Sequence, residues 1–373
     1  MQVYLHVPFC VRRCSYCDFS IAVRKRVPVG EYVECVLREL ELVRAEPRSG
    51  LETLYLGGGT PSLLPADAIA TLVTSLLDAF PSTPLLDAVE ATLEANPEDV
   101  TPEAARAWHE SGINRVSLGA QSFDDRVLGW MHRSHDGARI ATAVRTLCDA
   151  GLDNVSLDLI FALPAELERD WSRDLELALA LQPAHLSLYG LTVEPRTPLA
   201  RWISRGTSAA PDDERYAAEY LLAHERLTAA GYHFYEVSNA ARDGLRSRHN
   251  SAYWSGHSYT GLGPAAHSYD GRARRWNVAA WEEYRRAIHA GRSPLESEET
   301  LTPEQQELER VYLALRTDEG LALTAPYRLL PPLTAWVDRA WVQVRNGRLV
   351  CTPEGWLRLD ALVRDLTGVQ AIG

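Results

Sequence analysis

No second pair of cysteines follows the first cluster of this 373-residue chain, no apolar run is long enough to span a membrane, and lysine occurs once, at Lys25. Each shortage excludes something. Beyond the three clustered thiols, Cys35, Cys148 and Cys351 stand singly, which is no disulfide framework and points to a reducing, cytoplasmic compartment. The longest uncharged stretch, Leu177 to Val193, contains Gln182, Pro183 and His185 and reads as a helix end, a turn and a strand, so no transmembrane segment is expected. Basic charge is in deficit too. The formal net charge is -12, so the chain as a whole has no attraction for nucleic acid or an anionic membrane surface. The preference for arginine over lysine is a bias of genome composition and carries no function. Cys10 lies too close to Met1 for a charged segment, an apolar core and a cleavage site to precede it, so no leader peptide is expected. What is present is 46% hydrophobic, enough for a barrel-sized domain and a smaller one.

Short apolar, β-branched runs alternate with helical patterns along much of the chain. Candidate strands are Val3 to Val7, Thr53 to Leu56, Ala88 to Leu93, Arg115 to Leu118, Val155 to Leu159, His185 to Tyr189 and Phe234 to Val237. Between them, Val33, Val36, Leu37, Leu40 and Val43 form one apolar stripe at helical spacing, and Ile69, Leu72, Val73, Leu76, Leu77 and Phe80 form another. Repeated βα units require a parallel sheet. Six or seven such units fall short of a closed eight-fold barrel, so the expected fold class is α/β, an open partial (β/α)6-type barrel with its site at the C-terminal strand ends. Residues 1–240 are assigned to this barrel, 241–300 to a connecting region and 301–373 to a separate C-terminal domain. That tail reads as helices, then a hairpin of Trp341 to Arg345 and Arg348 to Cys351 around Asn346-Gly347, then a helix through Leu366, a winged-helix-like α+β pattern. Acidic and basic residues nearly balance there, without the basic stripe of a DNA reader. Packing or partner docking is the favoured role.

The chemistry begins at Cys10, Cys14 and Cys17, in the run Tyr4-Leu5-His6-Val7-Pro8-Phe9-Cys10-Val11-Arg12-Arg13-Cys14-Ser15-Tyr16-Cys17. Thiolates spaced C-x3-C-x2-C reach three irons of one 4Fe-4S cube and leave the fourth iron free to chelate a small molecule. Radical chemistry with S-adenosylmethionine begins at such an open iron. A zinc knuckle is the alternative on the same residues, with His6 at hand as a fourth ligand. Further motifs follow the other strands. Leu56-Gly57-Gly58-Gly59-Thr60-Pro61-Ser62 offers backbone N–H groups without side chains in the way. Glu94-Ala95-Asn96-Pro97 puts a carboxylate at the rim and Ser117-Leu118-Gly119-Ala120-Gln121 an amide, followed by Met131-His132-Arg133-Ser134-His135; Asp158 lies in the fifth strand. Singly, each is a capped turn or a solvated face. In series behind the three-cysteine run they mark one site.

With these motifs together, the chain resembles the radical S-adenosylmethionine superfamily, and within it the branch of oxygen-independent coproporphyrinogen III oxidases and HemW-type heme chaperones, over essentially its whole length. The resemblance implies contacts to S-adenosylmethionine at Tyr4, Tyr16, Gly58, Gly59, Thr60, Glu94, Gln121, Arg133 and Asp158, with Gly58 to Thr60 and Glu94 on the ammonium and Arg133 on the carboxylate. The oxidases hold a second S-adenosylmethionine, and the corresponding positions are Thr192 and His267, the latter matching an apolar residue there.

Two departures separate the chain from the oxidases. Phe19 stands where they carry a further cysteine, and their N-terminal extension over the substrate cavity is missing. A positive feature is Arg248-His249-Asn250-Ser251-Ala252-Tyr253-Trp254, which matches the H-N-x-x-Y-W run associated with heme in the chaperones. The resemblance thus implies heme at His249, Asn250, Tyr253 and Trp254. A neutral imidazole suits heme iron, aromatics can stack on the macrocycle, and Arg242, Arg246, Arg248, Arg272, Arg274 and Arg275 can meet propionates. His249 is expected in a loop near the barrel mouth; a hydrogen-bonded core histidine is the alternative. Two functions are carried forward. One is a chaperone that binds a 4Fe-4S cluster, S-adenosylmethionine and heme and passes heme to acceptor proteins, such as respiratory or heme-storage proteins. The other is an enzyme that decarboxylates coproporphyrinogen III to protoporphyrinogen IX by hydrogen abstraction.

Overall fold

Period-two alternation in the strands separates an apolar face from a polar one, and this decides the architecture. In strand β1 (Gln2–Val7), Val3, Leu5 and Val7 are fully buried. Gln2, Tyr4 and His6 fall on the other face. After two short paired strands, β2 (Phe9–Cys10) and β3 (Ala22–Val23), the same alternation recurs in β4 (Thr53–Gly58), β5 (Glu90–Ala95), β6 (Arg115–Gln121), β7 (Val155–Phe161) and β8 (His185–Gly190). Leu54, Leu56, Leu93, Val116, Leu118, Leu157 and Leu186 join the main core, which also takes Leu40, Ile69, Leu72, Val73, Leu76, Ile140, Leu147 and Leu175 from the helices. The apolar side chains therefore face the helical layer. Tyr55, Glu94, Ser117, Asp158 and Ser187 share the opposite, concave face. The structure, a computed structural model, describes residues 1–43, 50–80, 89–323 and 332–368.

Strands β1, β4, β5, β6, β7 and β8 pair in parallel in that order, with a register shift between β6 and β7 at Leu118/Gln121. The α/β class and the six-unit open barrel agree with the expectation from sequence. Its third strand starts later than anticipated, at Glu90, and Ala88 lies outside the described residues. The seventh candidate strand is corrected in position. β9 (His233–Glu236) follows the helix Asp213–Ala229 and runs in the direction of the barrel strands, but it does not pair with β8: the short strand β10 (Asn239–Ala241), formed by a tight hairpin return, inserts between them and is antiparallel to both.

The segment 241–300 is more than a connection. It adds β11 (Tyr259–Leu262), parallel to β1 on the flank away from β4, and then β12 (His267–Tyr269), β13 (Ala273–Asn277) and β14 (Leu295–Thr300) as an antiparallel meander. One twelve-stranded sheet results. The tail carries the helix Pro303–Arg316, opened by a Thr302/Gln305 capping box, and a three-stranded sheet of β15 (Leu321–Ala322), β16 (Val342–Arg345) and β17 (Arg348–Cys351). Asn346 and Gly347 both take positive φ, as a tight two-residue hairpin turn demands. Helices Pro353–Trp356 and Leu359–Thr367 complete the tail. It is tied to the barrel by Arg316 Nε, which donates to Glu236 Oε2 at 3.1 Å, and by the Asp318 amide, which donates to the Tyr235 carbonyl at 3.0 Å. Among the described residues no helix is long and apolar enough to cross a membrane.

Candidate functional site

Backbone pairing builds the cysteine loop before any ligand is considered. The Ala22 amide bonds the Pro8 carbonyl and the Arg24 amide the Cys10 carbonyl, so residues 11–21 form a closed lobe over the end of β1. The lobe is pinned to distant segments where the Ser15 amide donates to the Met131 carbonyl and its own carbonyl accepts from Leu199. This leaves Cys10, Cys14 and Cys17 half-buried as free thiols on one wall of a cavity of about 480 Å³ at the C-terminal ends of the parallel strands. Tyr16, Gly58, Gly59, Thr60, Glu94, Gln121, Arg133, Asp158 and Thr192 line the same cavity. Nine residues expected around S-adenosylmethionine, together with the three thiols, thus converge from far-separated segments.

The glycine run is required by close approach. Gly58 has φ +113°, and a Cβ there would lie 2.6 Å from the His6 ring; one at Gly59 would lie 2.7 Å from the Phe9 carbonyl. Only a bare backbone fits between the cysteine lobe and β4. The Gly58 N–H donates to Glu94 Oε2 at 3.0 Å, while Tyr55 OH donates to Glu94 Oε1 at 2.8 Å. Burial pushes the Glu94 carboxyl up to about 7, with the nearby Asp158 charge adding to the rise and these two donors opposing it. Asp158 accepts from Ser117 Oγ at 3.0 Å and is pushed up by burial to about 6.

Arg133 sits where its guanidinium touches both the thiols and the strand ends. One nitrogen reaches Cys14 Sγ at 3.7 Å, and another bonds the Asn96 side-chain oxygen and the Gly119 carbonyl. Its Nε is buried without a partner among the described residues. Burial works against the guanidinium charge, but Tyr16, Cys14 and Glu98 around it hold it firmly protonated. A fixed cation with a spare donor in a concave polar site fits a carboxylate-bearing ligand. Burial raises the Cys10 thiol to about 11 and raises Cys17 as well, so without a metal both are neutral thiols at neutral pH, and a bound metal centre would displace their protons. No three His, Cys, Asp or Glu side chains converge on a single ion position among the described residues. Thiols distributed along a cavity wall fit a multi-iron cube better than one tetrahedral ion. His6 does not serve as a fourth ligand. Its ring meets Tyr4 OH at 3.1 Å and the Ser20 carbonyl at 3.1 Å and lies outside this cavity.

Three sets of expected residues lie apart from the first cavity or from one another. Tyr4 lines a second cavity instead, because its position on β1 directs it beneath the glycine loop toward Tyr55 and His249. His267 also belongs to that second cavity while Thr192 lines the first, so the pair does not meet in one place. His249 is in no exposed loop. It lies on helix Arg248–Trp254, 1% exposed, with Nδ1 2.7 Å from Thr53 Oγ1, Nε2 2.9 Å from Tyr253 OH and its ring stacked on Tyr55 at 5.0 Å. Burial lowers its pKa to about 3, with Arg115 nearby adding to the fall, so the ring is neutral. Both nitrogens are engaged, and the core-histidine alternative describes it, with side chains as the bonding partners.

The second cavity, about 940 Å³, lies between the concave face at β1 and β11 and the tail domain. Tyr253 and Trp254 of the H-N-x-x-Y-W run line it, whereas His249 and Asn250 do not. Of the six flanking arginines only Arg246 and Arg274 reach its wall, and they pair with Asp318 and Glu309. Phe19 is 61% exposed at the first cavity, a large apolar group at its mouth. Sequence reasoning missed Tyr55 and Asn96, which orient Glu94 and Arg133. The alternation Leu54-Tyr55-Leu56 was the available signal for Tyr55; Asn96 had none beyond its neighbour Glu94.

Comparison with known proteins shows the family and the fold. The Radical SAM superfamily sequence model matches residues 4–178. Proteins named heme chaperone HemW are similar along most of the chain: that of Mycobacterium tuberculosis is 40% identical over 377 residues, spanning 98% of this chain and 94% of the relative. The Escherichia coli protein of that name is 37% identical over 282 residues, 74% of this chain and 72% of its own. Among solved structures, the radical SAM enzyme coproporphyrinogen III oxidase HemN of Escherichia coli superposes with a TM-score of 0.80, covering 98% of this chain and 89% of that one, at 21% identity. That likeness is one of fold.

Proposed function

The chain belongs to the HemW family of the radical SAM superfamily, and from that premise we propose that it is a heme chaperone that carries a 4Fe-4S cluster on Cys10, Cys14 and Cys17, binds S-adenosylmethionine beside it, and passes heme to acceptor proteins. One observation carries the reading. Three half-buried thiols share a cavity with a fixed cation, Arg133, and with a carboxyl-and-amide pocket made by Glu94 and Gly58 to Thr60. When bound, the cluster and S-adenosylmethionine supply one-electron reductive chemistry. Arg133 holds the ligand carboxylate through its spare Nε and its other donors, and Glu94 and the glycine amides hold and orient the amino group. Tyr55 and Asn96 keep those two side chains in place. The cysteine lobe, with Phe19 at its edge, limits the entry of water.

Heme association draws support from relatives that bear the chaperone name and from Tyr253 and Trp254 on the wall of a second large cavity. Cytoplasmic residence is part of the same proposal and rests on the free thiols. The test is anaerobic and has two arms. Cluster-loaded protein should bind heme saturably and yield it to apomyoglobin, followed by the Soret band, and should leave coproporphyrinogen III unconverted with S-adenosylmethionine and strong reductant. Formation of protoporphyrinogen, with no heme binding above that of a nonspecific protein control, would overturn the reading in favour of the oxidase.

A further inference from the structure

The heme reading leaves open what holds the iron, since His249 has neither a free nitrogen nor an open face. The second cavity has both. Its wall includes a run of aromatic rings, Tyr253 edge-on to Tyr259 at 4.7 Å and Tyr259 tilted against Tyr269 at 6.2 Å, which gives the cavity apolar ring surface for a macrocycle to pack against. Its volume of about 940 Å³ lies at the upper end of small-ligand sites. The Trp254 indole N–H, on the same wall, is buried with no partner among the described residues. An orphaned donor in a roomy polar and aromatic cavity points to a ligand.

Three histidines line this cavity, His6, His257 and His267. His6 is excluded, with both nitrogens bonded. His257 lies in the turn after helix Arg248–Trp254, where no paired strand steadies it. His267 is on β12, in register with Trp276 of the neighbouring strand, and its ring stacks on that indole at 5.8 Å and 22°. Its nitrogens meet no hydrogen-bond partner among the described residues. Arg246 and Arg274 are committed to carboxylates, but Arg348, at the cavity edge on β17, is held by the carbonyls of Glu319 and Gly320 and pairs with no carboxylate among the described residues. Backbone carbonyls orient a guanidinium without neutralising it. We propose that heme sits in this cavity between the concave sheet and the tail domain, with His267 on the iron and Arg348 on a propionate. The proposal rests on the heme-chaperone reading and replaces His249 as the ligand with a residue from a different strand. Because Arg348 belongs to the tail domain, the seat is shared between the two domains, and a movement of the tail would expose the heme edge to an acceptor.

The test is a hemin titration of the full-length, cluster-loaded protein, read by Soret position and by EPR of the ferric iron. His267→Ala should lose the histidine-ligated spectrum and weaken binding about tenfold or more, and added imidazole should restore the spectrum, which a merely structural role would not permit. Arg348→Gln should weaken binding several-fold and leave the Soret position unchanged. His249→Phe, checked for folding by circular dichroism, should retain the wild-type ligand field. A wild-type spectrum in His267→Ala, or its loss in His257→Ala or in a folded His249→Phe, would overturn the assignment. Absence of heme binding in the parent protein would instead overturn the chaperone reading itself.

Discussion

The Glu94 carboxyl makes the affinity for S-adenosylmethionine depend on pH in a direction that can be worked out. In the ligand-free site burial pushes this carboxyl up to about 7 from an ordinary 4.5. A ligand ammonium interacts favourably only with the ionised form, so binding lowers the pKa and releases a proton. Affinity must therefore rise with pH through the neutral range and level off above it. With a free-state value of about 7, the apparent dissociation constant at pH 6 is about tenfold that at pH 8, or roughly 1.4 kcal/mol. Proton release should fall from about 0.9 per ligand at pH 6 to about 0.5 at pH 7 and about 0.1 at pH 8. The linked statement for folding has the opposite sign. Without ligand, the raised pKa contributes stability below pH 4.5 that is lost as pH rises through about 7. The assay is anaerobic calorimetry on cluster-loaded protein in buffers of different ionisation enthalpy, with iron content checked at each pH. Glu94→Gln can still present an oxygen to the Gly58 N–H and an amide to the Tyr55 hydroxyl, so it should fold, bind more weakly at pH 8 and lose the slope. An affinity in the parent protein that is flat from pH 6 to pH 8, with no proton release, would refute the assignment of the ammonium to Glu94.

Other outcomes follow from the same geometry. Serine at Cys10, Cys14 or Cys17 should abolish iron-sulfur absorbance after reconstitution, whereas serine at Cys35, Cys148 or Cys351 should not; tight zinc with no such absorbance in the parent chain would revive the zinc alternative. Arg133→Ala removes the cation between Cys14, Asn96 and Gly119, and should weaken or abolish the change that S-adenosylmethionine makes in the EPR spectrum of the reduced cluster; an undiminished change would count against Arg133 as the carboxylate anchor. Arg169→Leu leaves the buried Asp174 without its counter-charge and Glu219 with Arg215 alone, and should cost about 3–5 kcal/mol in urea unfolding. A loss below about 1 kcal/mol there would show that the two carboxylates find other partners or take up protons cheaply.

Much of this molecule is decided by patterns that act within a few residues. The C-x3-C-x2-C spacing brings three thiols together without tertiary context, because they lie on one short loop wherever that loop goes. Alternation in Val3 to Val7, Thr53 to Leu56 and Val155 to Leu159 announces strands with one apolar face, and the intervening helical stripes announce what covers it. Asn346-Gly347 specifies its hairpin because few other dipeptides accept two successive positive φ values. Even the convergence of Glu94 and Asp158 was legible, since side chains of parallel strands near their C-terminal ends meet at one rim. Tertiary structure alone decided the rest. Strand β11 pairs with β1 across more than 250 residues, and this pairing brings helix Arg248–Trp254 beneath the concave face and seals His249 between Thr53, Tyr55 and Tyr253. Alternation says which face a side chain takes, but not which distant strand will stand beside it or what will cover that face. Whether a histidine is a ligand or a core residue depends on where its two nitrogens find partners, and those partners lie on segments that only the closed sheet brings together.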